Sequence, residues 1–155
     1  LIYKTLKGSV FTWDRDFWRL KDKEALIFRR KIGIKGEIIG KPGKLTKEEW
    51  EEMKKHPVMG REILEGIDPL KRTAKIVEEH HEHYDGSGYP KGLKKNEISL
   101  EGRILAAVDA YDAMVSSRPY RKALSKEEIV RELKKNAGTQ FDPRVVEILV
   151  RLLED

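Results

Sequence analysis

Helix start and stop signals recur from about residue 40 to the C-terminus, and they constrain the fold more than any other feature of the sequence. Thr46 with Glu49, and Ser125 with Glu128, have the spacing of capping boxes, in which each side chain satisfies a backbone N–H group of the other residue. The Asp142-Pro143 pair is a suitable N-cap and first-turn combination. Such dense punctuation predicts a series of helices joined by short connections.

Six helices are predicted from these signals and from apolar residues that recur at intervals of three and four. A residue before proline is disfavoured in the helical region, so the first helix should end at His56, and Pro57 can then open the second. In order, the predicted helices run from Thr46 to His56, from Pro57 to Gly66, from Pro69 to about His83, onward from Ser99, from Ser125 to Gly138, and onward from Asp142.

The third, fourth and sixth helices carry apolar stripes, which are the candidate core faces. The two adjacent histidines continue such a stripe and not a charged face. The stripe residues are Thr73, Ile76, Val77, His80, His81 and Tyr84 in the third helix, Ile104, Leu105, Val108 and Val115 in the fourth, and Val145, Val146, Leu149, Leu152 and Leu153 in the sixth.

The first 40 residues have a different pattern. The segment LIYKTLKGSVFTW places β-type residues on either side of KGS, which is compatible with a short hairpin. The following segment, DRDFWRLKDKEALIFRR, is helix-like, with Phe17, Leu20, Ile27 and Phe28 roughly on one side. The predicted fold class is therefore all-α, with a short β-hairpin at the N-terminus as the candidate strand structure.

Composition limits the classes of function. A chain of 155 residues can bury a core as one domain, and the absence of cysteine excludes disulfides and thiolate chemistry. No apolar run approaches about 18 residues and no secretory signal is evident, so a cytoplasmic location is expected. The net charge is +5 with 38% charged residues. Because acids and bases are interleaved, the pattern is typical of a solvated surface and does not favour DNA or RNA as a partner.

Three of the four histidines lie between His80 and His83, in the stretch HHEHYDGSGYP. His80 and His81 should point inward near the end of the third helix, and His56, three residues after Met53, extends a buried side of the first. Neutral imidazole is a good ligand for zinc, iron and manganese. The alternative is that these rings are core histidines whose nitrogens are satisfied by protein groups.

Asp109 lies four residues after Leu105 and one after Val108, on an apolar face of the fourth helix. A carboxylate in such a stripe costs several kcal/mol unless it is paired or hydrogen-bonded. Either it accepts bonds from a neighbouring helix end or an arginine, or it joins the three imidazoles in a metal pocket.

The segment YDGSGYP forms a tight loop in which Gly86 and Gly88 permit sharp turns and Pro90 stiffens the exit. It is either a plain connection between helices or a loop whose backbone and Tyr89 contact a ligand or a protein.

A cluster of positive charge follows the fourth helix, in SSRPYRKALS. Arg118, Arg121 and Lys122 form a solvated helix end on the simplest interpretation. The forked arginine side chain also suits phosphate, so an anionic small molecule is the alternative.

Together, HHEHYDGSGYP, KPGKLTKEEWEEMKKHPVMGREIL, VDAYDAMVSSRPYRKALS and GTQFDP resemble the ordered motifs of the HD-GYP domains, bacterial cyclic di-GMP phosphodiesterases of the HD superfamily. The match covers roughly Lys31 to Asp155. The resemblance implies an HD-type helical bundle with two or three metal ions, usually iron or manganese. These ions activate a bridging water that attacks a phosphodiester of cyclic di-GMP, giving a linear dinucleotide or GMP.

The resemblance also implies roles for particular residues. His56, His80 and His81 look like the three imidazoles of one metal, and Asp109 looks like a carboxylate ligand of its neighbour. In the family, the GYP loop is associated with contacts to diguanylate cyclase (GGDEF) domains. The candidate substrate-binding residues are Arg118 and Arg121 for phosphate, with Gly86, Gly88, Tyr89 and Pro90 in the loop.

One family feature is missing. The His-Asp pair that names the family normally precedes a GK(I/V)GI-like run, which here is IFRRKIGI, so Lys31 matches the family lysine and is the candidate catalytic residue. Ile27 and Phe28 occupy the positions of the pair, and no histidine precedes His56. By the family's ligand pattern, one ion would keep three histidines and the other would keep only Asp109.

The sequence therefore indicates a degenerate HD-GYP-type domain over residues 31–155, behind an atypical segment over residues 1–30. Binding of cyclic di-GMP or a related cyclic nucleotide, or a regulatory signalling role, is favoured over full catalysis. The alternative is an active phosphodiesterase that uses a residual or reassembled site. The expected cofactor is a divalent metal, as one ion or none.

The N-terminal segment also departs from the family, which has further helices before the His-Asp position. A domain with only one helix-like stretch there would expose apolar surface and favour a homodimer. Since residue 1 is leucine and not methionine, the chain is expected to be a piece of a longer protein.

Overall fold

The computed structural model describes residues 34–39, 41, 43–116 and 122–155, and over these residues the chain is helical, with no strand. The predicted hairpin, the predicted N-terminal helix, Lys31, Arg118 and Arg121 lie outside the described residues. The helices are α1 (Gly36–Ile39), α2 (Lys47–Met53), α3 (His56–Glu65), α4 (Lys71–Glu79), α5 (Leu100–Val115), α6 (Lys126–Lys135) and α7 (Pro143–Glu154).

The predicted helix starts are confirmed where side-chain caps were expected. Both capping boxes form reciprocally, before α2 and before α6. A serine hydroxyl caps α5 and an aspartate carboxylate caps α7. These caps are local bonds between residues two or three apart, which is why a sequence pattern can identify them. The capping residues are Thr46, Ser99, Ser125 and Asp142.

The third predicted helix differs from the structure at both ends. A short 3-10 turn, Asp68–Leu70, precedes α4, and α4 ends at Glu79 instead of continuing to His83. His80 is the C-cap, and the chain then turns through residues 81–83 into the glycine-rich loop. The histidine pair therefore lies at the end of the helix and just past it.

The main hydrophobic core lies between α5, α6 and α7. The predicted stripe of α7 is confirmed at its three buried positions, but the stripe of α5 is wrong at Val115, which is 38% exposed. Ala107 of α5 is fully buried in this core. The buried core residues are Ala107, Ile129, Leu133, Phe141, Val145, Val146, Leu149 and Val150.

The helices α3 and α4 pack against each other as a hairpin beside this core. Gly60 on α3 permits the close approach, because a Cβ atom there would lie 3.0 Å from Cγ1 of Val77 on α4. This packing brings the start of α3, where His56 lies, to the end of α4. Among the described residues, no helix combines the length and the apolar character needed to cross a bilayer.

Candidate metal centre

Three histidine side chains converge where α3 begins and α4 ends. His56 is the first residue of α3 and is 7% exposed, while His80 and His81 are half-buried at the end of α4. One ligand atom from each ring lies within 4.8 Å of the other two. The predicted meeting of imidazoles from separate helices is therefore confirmed as geometry.

Backbone carbonyls fix the orientation of two of these rings. Nδ1 of His56 lies 2.7 Å from the carbonyl oxygen of Met53, and Nδ1 of His80 lies 2.5 Å from that of Val77. A carbonyl oxygen can only accept, so each Nδ1 carries the proton and donates. In a neutral ring the lone pair is then on Nε2, which is the atom available to a metal ion.

The spacing of the nitrogens suits coordination of one ion. Nε2 of His81 lies 3.1 Å from Nε2 of His56. Two nitrogens bound to one ion at about 2.1 Å lie about 3.0 Å apart at a right angle and about 3.4 Å apart in a tetrahedral arrangement. The donor set and its spacing therefore fit a divalent metal ion.

Burial favours the neutral form that a ligand needs. Burial lowers the pKa of His80 and outweighs both the hydrogen bond to the Val77 carbonyl and the negative charge of Asp109, which act in the opposite direction. His80 therefore remains an uncharged imidazole with a lone pair to offer over a wider pH range than an exposed histidine.

Asp109 lines a cavity beside the histidine pair but is not buried. It lines a space of about 110 Å³ together with His80 and His81. The expectation that it lies on a buried stripe of its helix is wrong, because its side chain is exposed. In the described part of the chain, the group of converging ligand atoms contains the three histidines without Asp109.

The fourth histidine has a different environment. Nδ1 of His83 lies 2.9 Å from Oγ of Ser87, within the glycine-rich loop. His83 is therefore a matched reference for the other three: the same residue type, on the edge of the same cavity, but outside the converging group.

The glycine-rich loop returns to the histidines through Tyr89. The Tyr89 ring lies 4.9 Å from the His81 ring at an angle of 31°, and it also contacts the Trp50 ring edge-to-face at 5.9 Å. Burial, with the added effect of the Asp109 charge, raises the pKa of Tyr89 to about 12. The Tyr89 hydroxyl therefore remains a hydrogen-bond donor beside the candidate centre.

Two glycines make this loop possible for different reasons. Gly86 has a φ of +85°, the left-handed region that favours glycine. At Gly88 the constraint is close backbone contact, because a Cβ atom would lie 2.2 Å from the backbone nitrogen of His83. The predicted tight turn is confirmed, and its backbone runs against the segment that carries His81 and His83.

Three buried glutamates that the sequence pattern did not predict surround the histidine pair: Glu78, Glu79 and Glu82. Glu82 accepts hydrogen bonds from the backbone of the loop exit, and Glu79 accepts from the Ser99 cap of α5. The carboxylate of Glu78 lies 2.7 Å from Nζ of Lys91. One signal was available for Glu79, which lies three residues after Ile76 on the apolar side of α4.

A family model described as an HD domain matches residues 33–145 of this chain. A cyclic di-GMP phosphodiesterase of Thermotoga maritima is 47% identical over 124 residues, which are 79% of this chain and 34% of that protein. The cyclic di-GMP phosphodiesterase response regulator RpfG of Xanthomonas campestris is 45% identical over 123 residues, 78% of this chain and 32% of that protein. A 3'3'-cGAMP-specific phosphodiesterase of Vibrio cholerae is 37% identical over 123 residues, 79% of this chain and 27% of that protein.

The matched region contains the histidine pair, the glycine-rich loop and the cap of α5. The chain therefore belongs to the HD domain family, within its HD-GYP group. It spans about a third or less of the length of these curated relatives.

Proposed function

We propose that this chain is an HD-GYP-type signalling domain that holds one divalent metal ion and binds cyclic di-GMP or a related cyclic dinucleotide beside it. The observation that carries the proposal is the convergence of His56, His80 and His81, whose ligand atoms all lie within 4.8 Å of one another. Binding is favoured over turnover because Ile27 and Phe28, at the positions of the family's His-Asp pair, cannot ligate an ion.

The chemistry of the proposed site follows from its side chains. A metal ion held there would polarise a phosphoryl oxygen and lower the pKa of a bound water. Asp109 on the cavity wall is proposed as a further ligand, and the Tyr89 hydroxyl can donate to a phosphate or a base. Arg118 and Arg121 are proposed as phosphate contacts, since a guanidinium group can donate to two oxygens at once.

Loss of the second ion is the reason for proposing weak or absent catalysis. A two-metal site stabilises both the attacking and the leaving oxygen of a phosphodiester. This chain would have histidine ligands for one ion alone, so it would lose the stabilisation of both oxygens. Lys31 nevertheless keeps the position of the family lysine. A domain of this kind would retain recognition of the dinucleotide and lose much of the rate.

Metal analysis of protein purified without chelator tests the site directly. We expect about one ion per chain in the parent and in His83→Ala, and none in His80→Ala, because His83 is outside the converging group. Two or more ions per parent chain would contradict the one-ion proposal. Loss of the ion in His83→Ala as well would mean that the three-histidine group is not the site.

The alternative, an active phosphodiesterase, is favoured by the 47% identity to a protein named cyclic di-GMP phosphodiesterase. Incubation with cyclic di-GMP or 3'3'-cGAMP and manganese or ferrous ion separates the two functions. Binding without product supports recognition. Product formation that His80→Ala abolishes establishes the enzyme, and neither binding nor product contradicts both.

The assembly of the domain is also a proposal. We place the domain boundary near residue 31 and propose a homodimer, with a diguanylate cyclase (GGDEF) domain as the partner of the loop from Gly86 to Pro90. Light scattering measures the first association, and titration with a purified GGDEF domain measures the second. A monomer at all concentrations would contradict the homodimer, and a titration without binding would contradict the GGDEF domain as partner.

A further inference from the structure

Buried glutamates stand on both sides of the adjacent histidines, in the segment Glu78–Glu82 with the sequence EEHHE. Glu82 accepts from the backbone of Lys91 and Leu93, Glu78 accepts from the Lys91 side chain, and Glu79 accepts from Ser99 at the start of α5. We propose that Glu82 is a positioning residue for the metal centre: it clamps the exit of the glycine-rich loop, and the loop in turn holds Tyr89 against His81. The inference rests on the proposed role of His81 as a metal ligand.

The clamp consists of two hydrogen bonds to successive parts of the loop exit. Oε1 of Glu82 accepts from the backbone N–H of Lys91 at 2.6 Å, and Oε2 accepts from that of Leu93 at 2.9 Å. The side chain is 2% exposed, so water does not replace these bonds easily. Both carboxylate oxygens are therefore committed to one short stretch of backbone.

The clamped stretch follows directly after the residues that touch the histidines. Lys91 is two residues after Tyr89, and between them the chain passes only through Pro90. The backbone N–H of Tyr89 donates to the carbonyl oxygen of His81 at 3.1 Å, and the two rings lie 4.9 Å apart. His81 is thus confined by the loop on one side, while Glu82, its immediate neighbour, holds the far end of the same loop.

Glu82 lies outside the group of converging ligand atoms, although it lines the same cavity, and through the loop it affects the surroundings of His81. Groups that orient metal ligands without touching the ion typically change metal affinity by about 10-fold to 100-fold when they are mutated. The neighbouring Glu79 has the same chemistry and similar burial, at 3%, but it accepts from the backbone N–H and the hydroxyl of Ser99 at the start of α5. Glu79 therefore provides a matched control.

The test compares Glu82→Gln with Glu79→Gln in the otherwise unchanged chain. Glutamine keeps the shape of the side chain but replaces one acceptor oxygen with an NH₂ group that faces a backbone donor. Zinc and cobalt affinity are measured by competition with a chromophoric chelator, and thermal unfolding of the metal-free proteins is measured in parallel. We expect metal affinity to fall about 10-fold in Glu82→Gln and to stay within about twofold of the parent in Glu79→Gln, although both variants lose thermal stability.

Equal losses of affinity in the two variants, or unchanged affinity in Glu82→Gln, would overturn the inference. If Glu82→Gln does not fold, Glu82→Asp replaces it, since aspartate keeps the acceptors but shortens their reach by one methylene group. If the parent binds neither metal, the proposed function fails, and the imidazole nitrogen NMR spectrum of the metal-free protein decides the inference. Glu82→Gln should then shift the His81 resonances more than Glu79→Gln does, and equal shifts overturn it.

Discussion

Two of the three histidines of the candidate centre, His56 and His80, are oriented by backbone carbonyls at the ends of helices. Met53 is the last residue of α2 and Val77 lies in the last turn of α4, where carbonyl groups have no partner within the helix. Nδ1 of the histidine three residues further on donates to each of these carbonyls. Helix termination therefore supplies both an acceptor for Nδ1 and a direction for Nε2 in these two rings.

At the same scale, Gly88 gives a sharp prediction. A Cβ atom at this position would lie 2.2 Å from the His83 nitrogen and 2.5 Å from the His81 carbonyl oxygen, and both are backbone atoms that cannot rotate away. We expect Gly88→Ala to lower the free energy of unfolding by about 2 kcal/mol or more and to weaken metal binding, as measured by urea denaturation and chelator competition.

Gly66→Ala is the control for this prediction. Gly66 has ordinary helical φ and ψ values. A Cβ atom added there would lie 3.6 Å from the nearest atom, the carbonyl oxygen of Ile63. The substitution should be neutral or should stabilise the fold by about 0.5 kcal/mol, because it restricts the unfolded chain. An unfolding free energy for Gly88→Ala equal to that of Gly66→Ala would show that the loop backbone is not packed as described.

Which site residues the sequence predicts depends on whether their signal is local. His56 follows Met53 by three residues and His80 follows Val77 by three, and both are directed inward as predicted. The predicted end of the first helix at His56 is wrong, however, because that helix ends at Met53 and His56 is the first residue of the next one. Glu82 has no such signal, because its partners are nine and eleven residues away across an irregular loop. Asp109 satisfied the spacing rule but is exposed, since the deepest packing of α5 occurs at Ala107.

At the scale of elements, α7 is tied to α5 by one buried carboxylate. Asp142, 1% exposed, accepts from the backbone N–H of Arg144 as the N-cap of α7 and pairs with Arg103 of α5. Asp142→Ala removes the cap and leaves the largely buried Arg103 charge without this partner. We expect a loss of about 3–5 kcal/mol in the free energy of unfolding, measured by urea denaturation.

Ser125→Ala is the comparison, because Ser125 is an exposed N-cap without a buried ion pair. Its loss should cost about 1 kcal/mol. If the two alanine variants lose the same free energy of unfolding, the ion pair between Asp142 and Arg103 adds no stability beyond the N-cap of α7.

Asp142 also predicts how the free energy of unfolding changes at acidic pH. Burial alone would raise the pKa of Asp142, but hydrogen bonds from Arg144 and Arg103 outweigh it and hold the pKa below its usual range. Folding therefore favours the ionised form. This contribution is complete above the ordinary value of about 4 and is lost as the pH falls through the folded-state pKa.

Comparison with Asp142→Asn isolates that contribution. The parent should be more stable than the variant at pH 7, and the difference should shrink as the pH is lowered below about 4. Urea denaturation at a series of pH values measures it. A difference that stays constant down to the acid limit of folding would contradict an ionised Asp142.

Helix starts were predicted better than helix ends for a physical reason. The capping bonds of Thr46, Ser99 and Ser125 close within three residues, so the sequence contains all the necessary groups in one place. Just past the end of α4, the chain is held by bonds to residues many positions away, such as the bond from the Leu93 N–H group to Glu82. No local pattern distinguishes that end at Glu79 from the predicted continuation to His83.

At the scale of the whole molecule, the candidate centre lies in one half and the main core in the other. The centre belongs to the α3–α4 hairpin and its loop, whereas the core lies between α5, α6 and α7. Glu79 joins the halves through the Ser99 cap, and the loop joins them through bonds from the Tyr84 and Asp85 N–H groups to carbonyls of Gln140 and Thr139. A bound ion would therefore add a further link between α3 and α4, beside the apolar contacts of buried residues such as Met53, Ala74 and Val77.

This arrangement predicts that metal binding and folding are coupled. An ion that binds only the folded chain adds about 2.7 kcal/mol of stability when its free concentration is 100 times its dissociation constant. For a chain of 155 residues that corresponds to a rise in Tm of roughly 5–10 °C. Scanning calorimetry with saturating zinc and then with excess chelator should show this difference in the parent.

His81→Ala and His83→Ala distinguish a specific ion from nonspecific effects of zinc. The first removes one of the converging ligand atoms, and the second removes an imidazole of the same loop that lies outside the group. The metal-dependent part of Tm should vanish in His81→Ala and persist in His83→Ala. Because the ion would connect the start of α3 to the end of α4, a parent whose Tm is the same with zinc and with chelator would mean that these imidazoles serve only as packing.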